Sequence, residues 1–77
     1  KATTRDVVCD LTGLSFMDSS GIGVLVGRYV NIRKLGGRAA IICRNTRIKK
    51  ILEISGVLKL MSVHDELDHA LRALSTA

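Results

Sequence analysis

The step from a strand into a long helix is marked by residues 16–23, which read Phe16-Met17-Asp18-Ser19-Ser20-Gly21-Ile22-Gly23. An apolar, valine-rich segment precedes them, and an amphipathic segment follows. Asp18 or Ser19 is a good helix N-cap, so the serine pair falls in the first helical turn. Because backbone N–H groups are unsatisfied there and the helix dipole is positive, this turn favours a phosphate or another anion.

Strand and helix signals alternate along the rest of the chain. Strands are predicted at residues 6–11, 38–43 and 57–61, and helices at residues 19–35, at residues 46–54, and from Ser62 or Asp65 to residue 74. The order βαβαβα predicts an α/β fold with a parallel sheet and right-handed crossovers. Functional sites in such sheets lie beyond the carboxyl ends of the strands. The loops 12–18, 44–46 and 62–64 are therefore expected to meet at one edge, beside Ser19.

Each predicted helix carries an apolar stripe at helical spacing. Gly36-Gly37 is the expected end of the first helix, and the second is expected to begin with Thr46 as its N-cap and to end at Ser55-Gly56. The residues expected to be buried are Ile22, Leu25, Val26, Tyr29 and Ile32 in the first helix, Ile48, Ile51 and Leu52 in the second with Ile54 as a further candidate, and Leu67, Ala70, Leu71 and Leu74 in the third.

The composition indicates one small domain with an aliphatic core. Of the 77 residues, 47% are hydrophobic, and Phe16 and Tyr29 are the only aromatic ones. The apolar runs are far shorter than the roughly 20 residues of a membrane span, and residues 1–5 lack the apolar segment of a signal peptide. Cys9 and Cys43 lie in predicted strands, where a lone cysteine is usually a small buried hydrophobe rather than a disulfide or metal ligand. We therefore expect a cytoplasmic domain that binds no membrane.

Part of the net charge of +5 lies in one basic cluster, formed by Arg44, Arg47, Lys49 and Lys50. Such a cluster can bind nucleic acid or an acidic partner, or it can be the solvated face of a short helix. No aromatic residue is interleaved for base stacking, so a solvated face is favoured over direct nucleic-acid binding.

Three motifs of enzymes or cofactor sites are incomplete. Gly21 and Gly23 begin a dinucleotide fingerprint, but Val26 replaces its third glycine, and the motif lies within the helix rather than before it. The serine pair lacks the G-x-S-x-G sequence of a nucleophile elbow. His64 and His69 are five residues apart, not the four that place two zinc ligands on one helix face.

The segment Asp10-Leu11-Thr12-Gly13-Leu14-Ser15-Phe16-Met17-Asp18-Ser19-Ser20-Gly21-Ile22-Gly23 closely resembles the core of STAS domains of the anti-sigma factor antagonist type. The sporulation members of that family are the nearest in likeness. Gly27-Arg28-Tyr29 and Ser55-Gly56-Val57 strengthen the match, which covers essentially the whole chain. In that context the sequence Asp-Ser-Ser-Gly-x-Gly after a strand is a specific motif.

The resemblance implies a regulatory protein that is not an enzyme and needs no cofactor of its own. In this family the unphosphorylated antagonist binds a serine-kinase anti-sigma factor, and the sigma factor is released. The kinase, which supplies the ATP and Mg²⁺, then phosphorylates one serine of the antagonist, and a PP2C-type phosphatase reverses the step. Carried over, the phosphorylated residue is Ser19. The residues expected to contact the partner are Asp10, Asp18, Ser20, Gly21, Ile22, Gly23, Val24 and Thr46.

One departure from the family pattern is large. The family begins with an N-terminal β-hairpin and a helix, and neither precedes the strand at Val7. Residues 1–77 are therefore expected to be the C-terminal two thirds of a single STAS domain. One sheet edge is expected to be uncovered, with self-association of the fragment as one consequence.

Three alternative functions stay open at this point. A STAS module can act as a scaffold in a stress-signalling complex or at a transporter, with the same fold and no switch. The basic cluster would serve a nucleic-acid binder, whose affinity would fall steeply with salt. A small hydrolase using Ser19 would be labelled by a serine-reactive phosphonate.

Overall fold

The computed structural model describes residues 6–75, which form a three-stranded sheet with helices on both faces. The strands are β1 (Val7–Asp10), β2 (Ala39–Ile42) and β3 (Ser62–His64). The helices are α1 (Ser19–Lys34), α2 (Thr46–Ile54) and α3 (Leu67–Ser75), and a 3-10 helix spans Val57–Lys59. The predicted α/β class and the alternating order are confirmed.

The strands lie in the order β1-β2-β3, and both neighbouring pairs are parallel. All four residues of β2 are buried, because β2 is central and helices cover both of its faces. β1 is only half-buried, and within residues 6–75 no strand pairs with its outer edge. The expected uncovered sheet edge is therefore present in the described part of the chain.

Alternate residues of β2 enter two separate clusters of the core. Ile41 lies on the face that α1 and α2 cover, and Ile42 lies on the face that α3 covers. Leu25 and Ile32 of α1 pack into the first cluster, as their helical spacing predicts. Ile22, Val26 and Tyr29 border the same cluster and are half-buried.

The predicted third strand at residues 57–61 is wrong. This segment begins with the 3-10 helix, and β3 follows only at Ser62. Val57 and Met61 are buried, whereas Leu58 is 41% exposed, so the apolar residues follow helical rather than alternating spacing. The Met61 backbone N–H also donates to the Val57 carbonyl at 2.9 Å, as in a helical turn.

Two other expectations about the helices are corrected. Thr46 is the first residue of α2, and the N-cap of this helix is Asn45. The side-chain oxygen of Asn45 accepts hydrogen bonds from two backbone N–H groups of the first turn. α3 begins at Leu67 rather than at Ser62 or Asp65, and it meets the sheet through Ala70 and Leu74. Leu67 and Leu71, which were also expected to be buried, are exposed.

Candidate functional site

Three loops lie at the carboxyl edge of the sheet. Asp10 is the register partner of Ile42, so the loops that leave β1 and β2 start side by side. The guanidinium Nε of Arg44 donates to the Asp65 carbonyl at 2.8 Å, which joins the loop after β2 to the loop after β3. The expected meeting of three loops is confirmed. The third is residues 65–66, however, because residues 62–64 form β3.

Asp10 shapes the loop that follows β1. Its carboxylate accepts hydrogen bonds from the Thr12 backbone N–H, at 2.9 Å, and from the Thr12 hydroxyl. These hydrogen bonds lower the pKa of the Asp10 carboxyl, and the charge of Arg44 contributes less. Within residues 6–75 no hydrogen bond joins Asp10 to Ser19, so its observed role is to hold the loop.

Asp18 is the N-cap of α1, which decides between the two candidates that the sequence offered. Its Oδ1 accepts from the backbone N–H groups of Ser20 and Gly21, at 3.0 and 3.2 Å. The Ser19 hydroxyl is therefore not needed as a cap. Ser19 and Ser20 are both exposed, and the Ser19 hydroxyl makes no hydrogen bond to any residue in the range 6–75. An unengaged nucleophilic oxygen thus lies at the start of a helix.

The two glycines of the motif occupy different surroundings. A Cβ on Gly21 would lie 3.1 Å from the Met17 Cγ, so this position is small because the loop packs against it. A Cβ on Gly23 would meet nothing within 4 Å, and Gly23 is exposed. Packing within the fold therefore accounts for Gly21, whereas no contact within the described residues requires a glycine at position 23.

A largely apolar groove of about 360 Å³ begins at Ser19. We call it the serine groove, and its walls are formed by Met17, Asp18, Ser19, Ile22, Ile51, Ile54 and Ser55. Ile54 was a candidate for the core, but 74% of it is exposed. It ends α2 beside the first turn of α1 and so forms an open apolar wall. Spacing along the chain does not predict that the first turn of α1 and the end of α2 lie together, because the two are distant in sequence.

The N-terminus of α2 holds Thr46 and part of the basic cluster. Asn45 caps this helix, since its Oδ1 accepts from the Arg47 and Ile48 backbone N–H groups at 2.9 and 3.2 Å. Thr46 is exposed at the opposite end of α2 from Ile54. Lys49 forms an ion pair with Asp65 and thereby lowers the pKa of the Asp65 carboxyl.

A second groove, of about 430 Å³, runs between β1 and α1. Val24, another predicted partner residue, lines it and is 57% exposed. Cys9 lies on the same wall and is half-buried, and this burial raises the pKa of its thiol, while the charge of Arg28 opposes the shift. Cys9 and Cys43 are both free thiols.

The described residues contain neither a metal-binding cluster nor a membrane-spanning helix. Between Asp6 and Ser75 there is no group of three or more His, Cys, Asp or Glu residues that could hold a metal ion. No helix in that range is both long and apolar enough to cross a membrane.

Sequence comparison connects this chain with named relatives. The STAS domain profile matches residues 1–70. The anti-sigma F factor antagonist of Paenibacillus polymyxa is 41% identical over 68 residues, which are 88% of this chain and 58% of that protein. The anti-sigma-B factor antagonist of Staphylococcus aureus is 34% identical over 62 residues, or 80% of this chain and 57% of that protein. The chain thus spans somewhat more than half the length of these relatives.

Structural comparison gives the same fold. The crystal structure of a candidate anti-sigma factor antagonist from Thermotoga maritima superimposes with a TM-score of 0.86 at 19% identity. The match covers 94% of this chain and 62% of that one. At this identity the likeness establishes the fold alone.

Proposed function

The chain belongs to the STAS domain family, and from this we propose that it is an anti-sigma factor antagonist. Its unphosphorylated form would bind a serine-kinase anti-sigma factor, and the sigma factor would be released. The kinase would then transfer the γ-phosphoryl group of ATP to the Ser19 hydroxyl, and a PP2C-type phosphatase would hydrolyse the phosphoserine. The ATP and Mg²⁺ belong to the kinase, and the antagonist contributes no catalytic group.

The observation that carries this proposal is the division of labour between Asp18 and Ser19. Asp18 satisfies the second and third N–H groups of α1, and the exposed Ser19 hydroxyl is left without a hydrogen bond within residues 6–75. A kinase can therefore reach this oxygen without breaking a cap. The open space above Gly23 allows the partner to approach the same turn closely.

The helix terminus also explains how the phosphate can act without unfolding the domain. A phosphoserine carries about −1.5 to −2 charge at neutral pH. At a helix N-terminus such a charge is favourable by roughly 0.3–1 kcal/mol. The modification is thus expected to leave the fold intact and to weaken binding at the interface, where Asp10 and Asp18 are exposed carboxylates on the same edge.

The test is to incubate the full-length protein with its cognate anti-sigma kinase and Mg-ATP. Intact mass and peptide mapping should show one phosphate at Ser19. The Ser19→Ala variant should gain none, and the Ser20→Ala variant, whose hydroxyl is one residue away, should still be phosphorylated. Binding without phosphorylation would support a STAS scaffold without a switch. If the protein neither binds the kinase nor is phosphorylated, the antagonist function is refuted.

A further inference from the structure

We propose that the serine groove is the docking site for an apolar side chain of the kinase, carried on an acidic segment of that kinase. This inference rests on the proposed function and adds a second wall to the partner surface. The first wall is the start of α1, where Ser19 lies, and the second is the end of α2.

The apolar part of the argument concerns Ile54. It is 74% exposed, and it forms one groove with Ile22 and Ile51, which are half-buried. Apolar side chains that line a concave site next to a few polar groups are typical of a binding pocket. The Ser19 hydroxyl lies at the margin of this pocket, so a side chain anchored against Ile54 would hold the kinase beside the phosphorylated oxygen.

The charged part of the argument concerns the flank of the groove. Arg47 lies one helical turn before Ile51, and Lys50 lies one turn before Ile54, so both cations extend along the same side of α2. Arg47 forms no ion pair within the described residues, and Lys50 is only loosely paired with Glu53, at 3.5 Å. Neither α1 nor α2 has an acidic residue in its first turn. Asp18 is the one charged residue of the groove wall, and its carboxylate is engaged by two N–H groups of α1.

This charge pattern selects the occupant. A positive flank favours a segment of opposite sign, so the anchored side chain is expected to be accompanied by carboxylates. A second copy docked through the same face is a poor alternative, because it would bring the Arg47 and Lys50 side chains of the two copies together. In this proposal Arg47 and Lys50, two members of the basic cluster that was interpreted from the sequence as a solvated face, contact the kinase.

The groove also explains why a phosphate at Ser19 would release the kinase. Ser19 is part of the groove wall, so a phosphoryl group there would lie beside the acidic segment. The attraction to Arg47 and Lys50 would then be opposed by repulsion from the same groove. The switch would act on the docked segment, without a change in the fold.

The experiment measures binding of the full-length protein to its cognate anti-sigma kinase by calorimetry. Ile54→Glu should weaken binding about tenfold or more, as expected when a charge enters an apolar anchor site. Leu35→Glu is the matched control, because Leu35 is similarly exposed, at 66%, and follows the opposite end of α1. It should leave binding unchanged. Arg47→Glu should weaken binding and reduce the dependence of the affinity on salt.

The outcomes separate this inference from the function on which it rests. If the wild-type protein binds and is phosphorylated while Ile54→Glu binds equally well, the docking site is wrong and the antagonist function stands. If Ile54→Glu and Leu35→Glu weaken binding to the same extent, the effect is not specific to the groove and the docking site is again wrong. If the wild-type protein does not bind the kinase, both proposals fall. Circular dichroism melts of the variants verify that each is folded.

Discussion

The N-termini of α1 and α2 lie at the same edge of the sheet and are capped in the same way, yet their first turns differ. In each, a short Asx side chain accepts from the second and third N–H groups, and a residue with a hydroxyl, Ser19 or Thr46, is first in the helix. In α2 the next residues are Arg47 and the buried Ile48. In α1 they are small, and the turn remains open.

This difference shows that capping a helix and forming a modification site are independent. Capping supplies helix stability at both termini, and by itself it makes neither of them a modification site. Ile48 is 1% exposed, so the first turn of α2 is anchored in the core. The first turn of α1 ends instead in Gly21, over Met17, and exposes both of its serines. Ser19 and Thr46 are both exposed, so the openness of the turn around the hydroxyl, rather than its position in the helix, distinguishes Ser19 from Thr46.

The largest effect should come from placing a charge at the two equivalent positions. Ser19→Glu should weaken kinase binding about 100-fold or more, because like charges at an interface cost several kcal/mol. Thr46→Glu should weaken it by less than about tenfold, as substitutions outside the centre of an interface commonly do. Calorimetric titration with the kinase measures both. Equal losses for the two variants would contradict the distinction between the termini.

Removing the two caps should have equal structural effects. Asp18→Ala and Asn45→Ala should each lower the free energy of unfolding by about 1 kcal/mol, since each loses the acceptor for two N–H groups. Urea denaturation of the full-length variants measures this. Asp18→Asn is the control, because asparagine caps as well as aspartate does. A loss at Asn45→Ala alone would mean that Asp18 is retained for partner binding rather than for the helix.

Alanine substitutions at two open glycines of α1 should distinguish the approach of the kinase from the stability of the helix. Gly23→Ala should raise the free energy of unfolding by about 0.5–1 kcal/mol, because the Cβ meets no atom and alanine favours helix. It should nonetheless weaken kinase binding. Gly27→Ala, one turn later and equally open, should be stabilising without that loss. If Gly23→Ala binds as tightly as the wild type, close approach of the partner at this turn is refuted.

The smallest effects concern two carboxylates near these termini, Asp10 and Asp65. Both have pKa values below the ordinary range, through Thr12 hydrogen bonds for Asp10 and through the hydrogen bond and charge of Lys49 for Asp65. Because the folded pKa is lowered, each contribution to stability is present above the unfolded pKa and is lost as the pH falls through the folded pKa.

Salt should distinguish the two causes. At about 1 M salt the Debye length is about 3 Å, so the part of the Asp65 shift that comes from the charge of Lys49 is screened, and the pKa of Asp65 should rise partway towards its ordinary value. The pKa of Asp10 should stay low, because its cause is a local hydrogen bond. Carboxyl chemical shifts followed by NMR against pH at low and high salt give both values. A similar rise at Asp10 would mean that Arg44, rather than Thr12, lowers its pKa.

Much of the fold and part of the candidate site could be predicted because their causes are local. A cap depends on one side chain and the next three N–H groups, which is why the start of α1 was predicted to within one residue. The placement of Asn45 and Thr46 was missed because both are acceptable caps and only the backbone geometry separates them. The strand predicted at Val57 failed because a short apolar run fits a buried turn as well as a strand.

The alternation of strands and helices, the family motif and the place of Ser19 in a first helical turn all follow from the chain alone, since periodicity and capping act over a few residues. The exposure of Ile54, and the groove that it forms with Ile22 beside Ser19, follow only from the packing of the helices. The groove depends on how α1 and α2 pack on one face of the sheet, because about thirty residues of chain separate its two walls. Spacing along a single helix carries no information about such a neighbour.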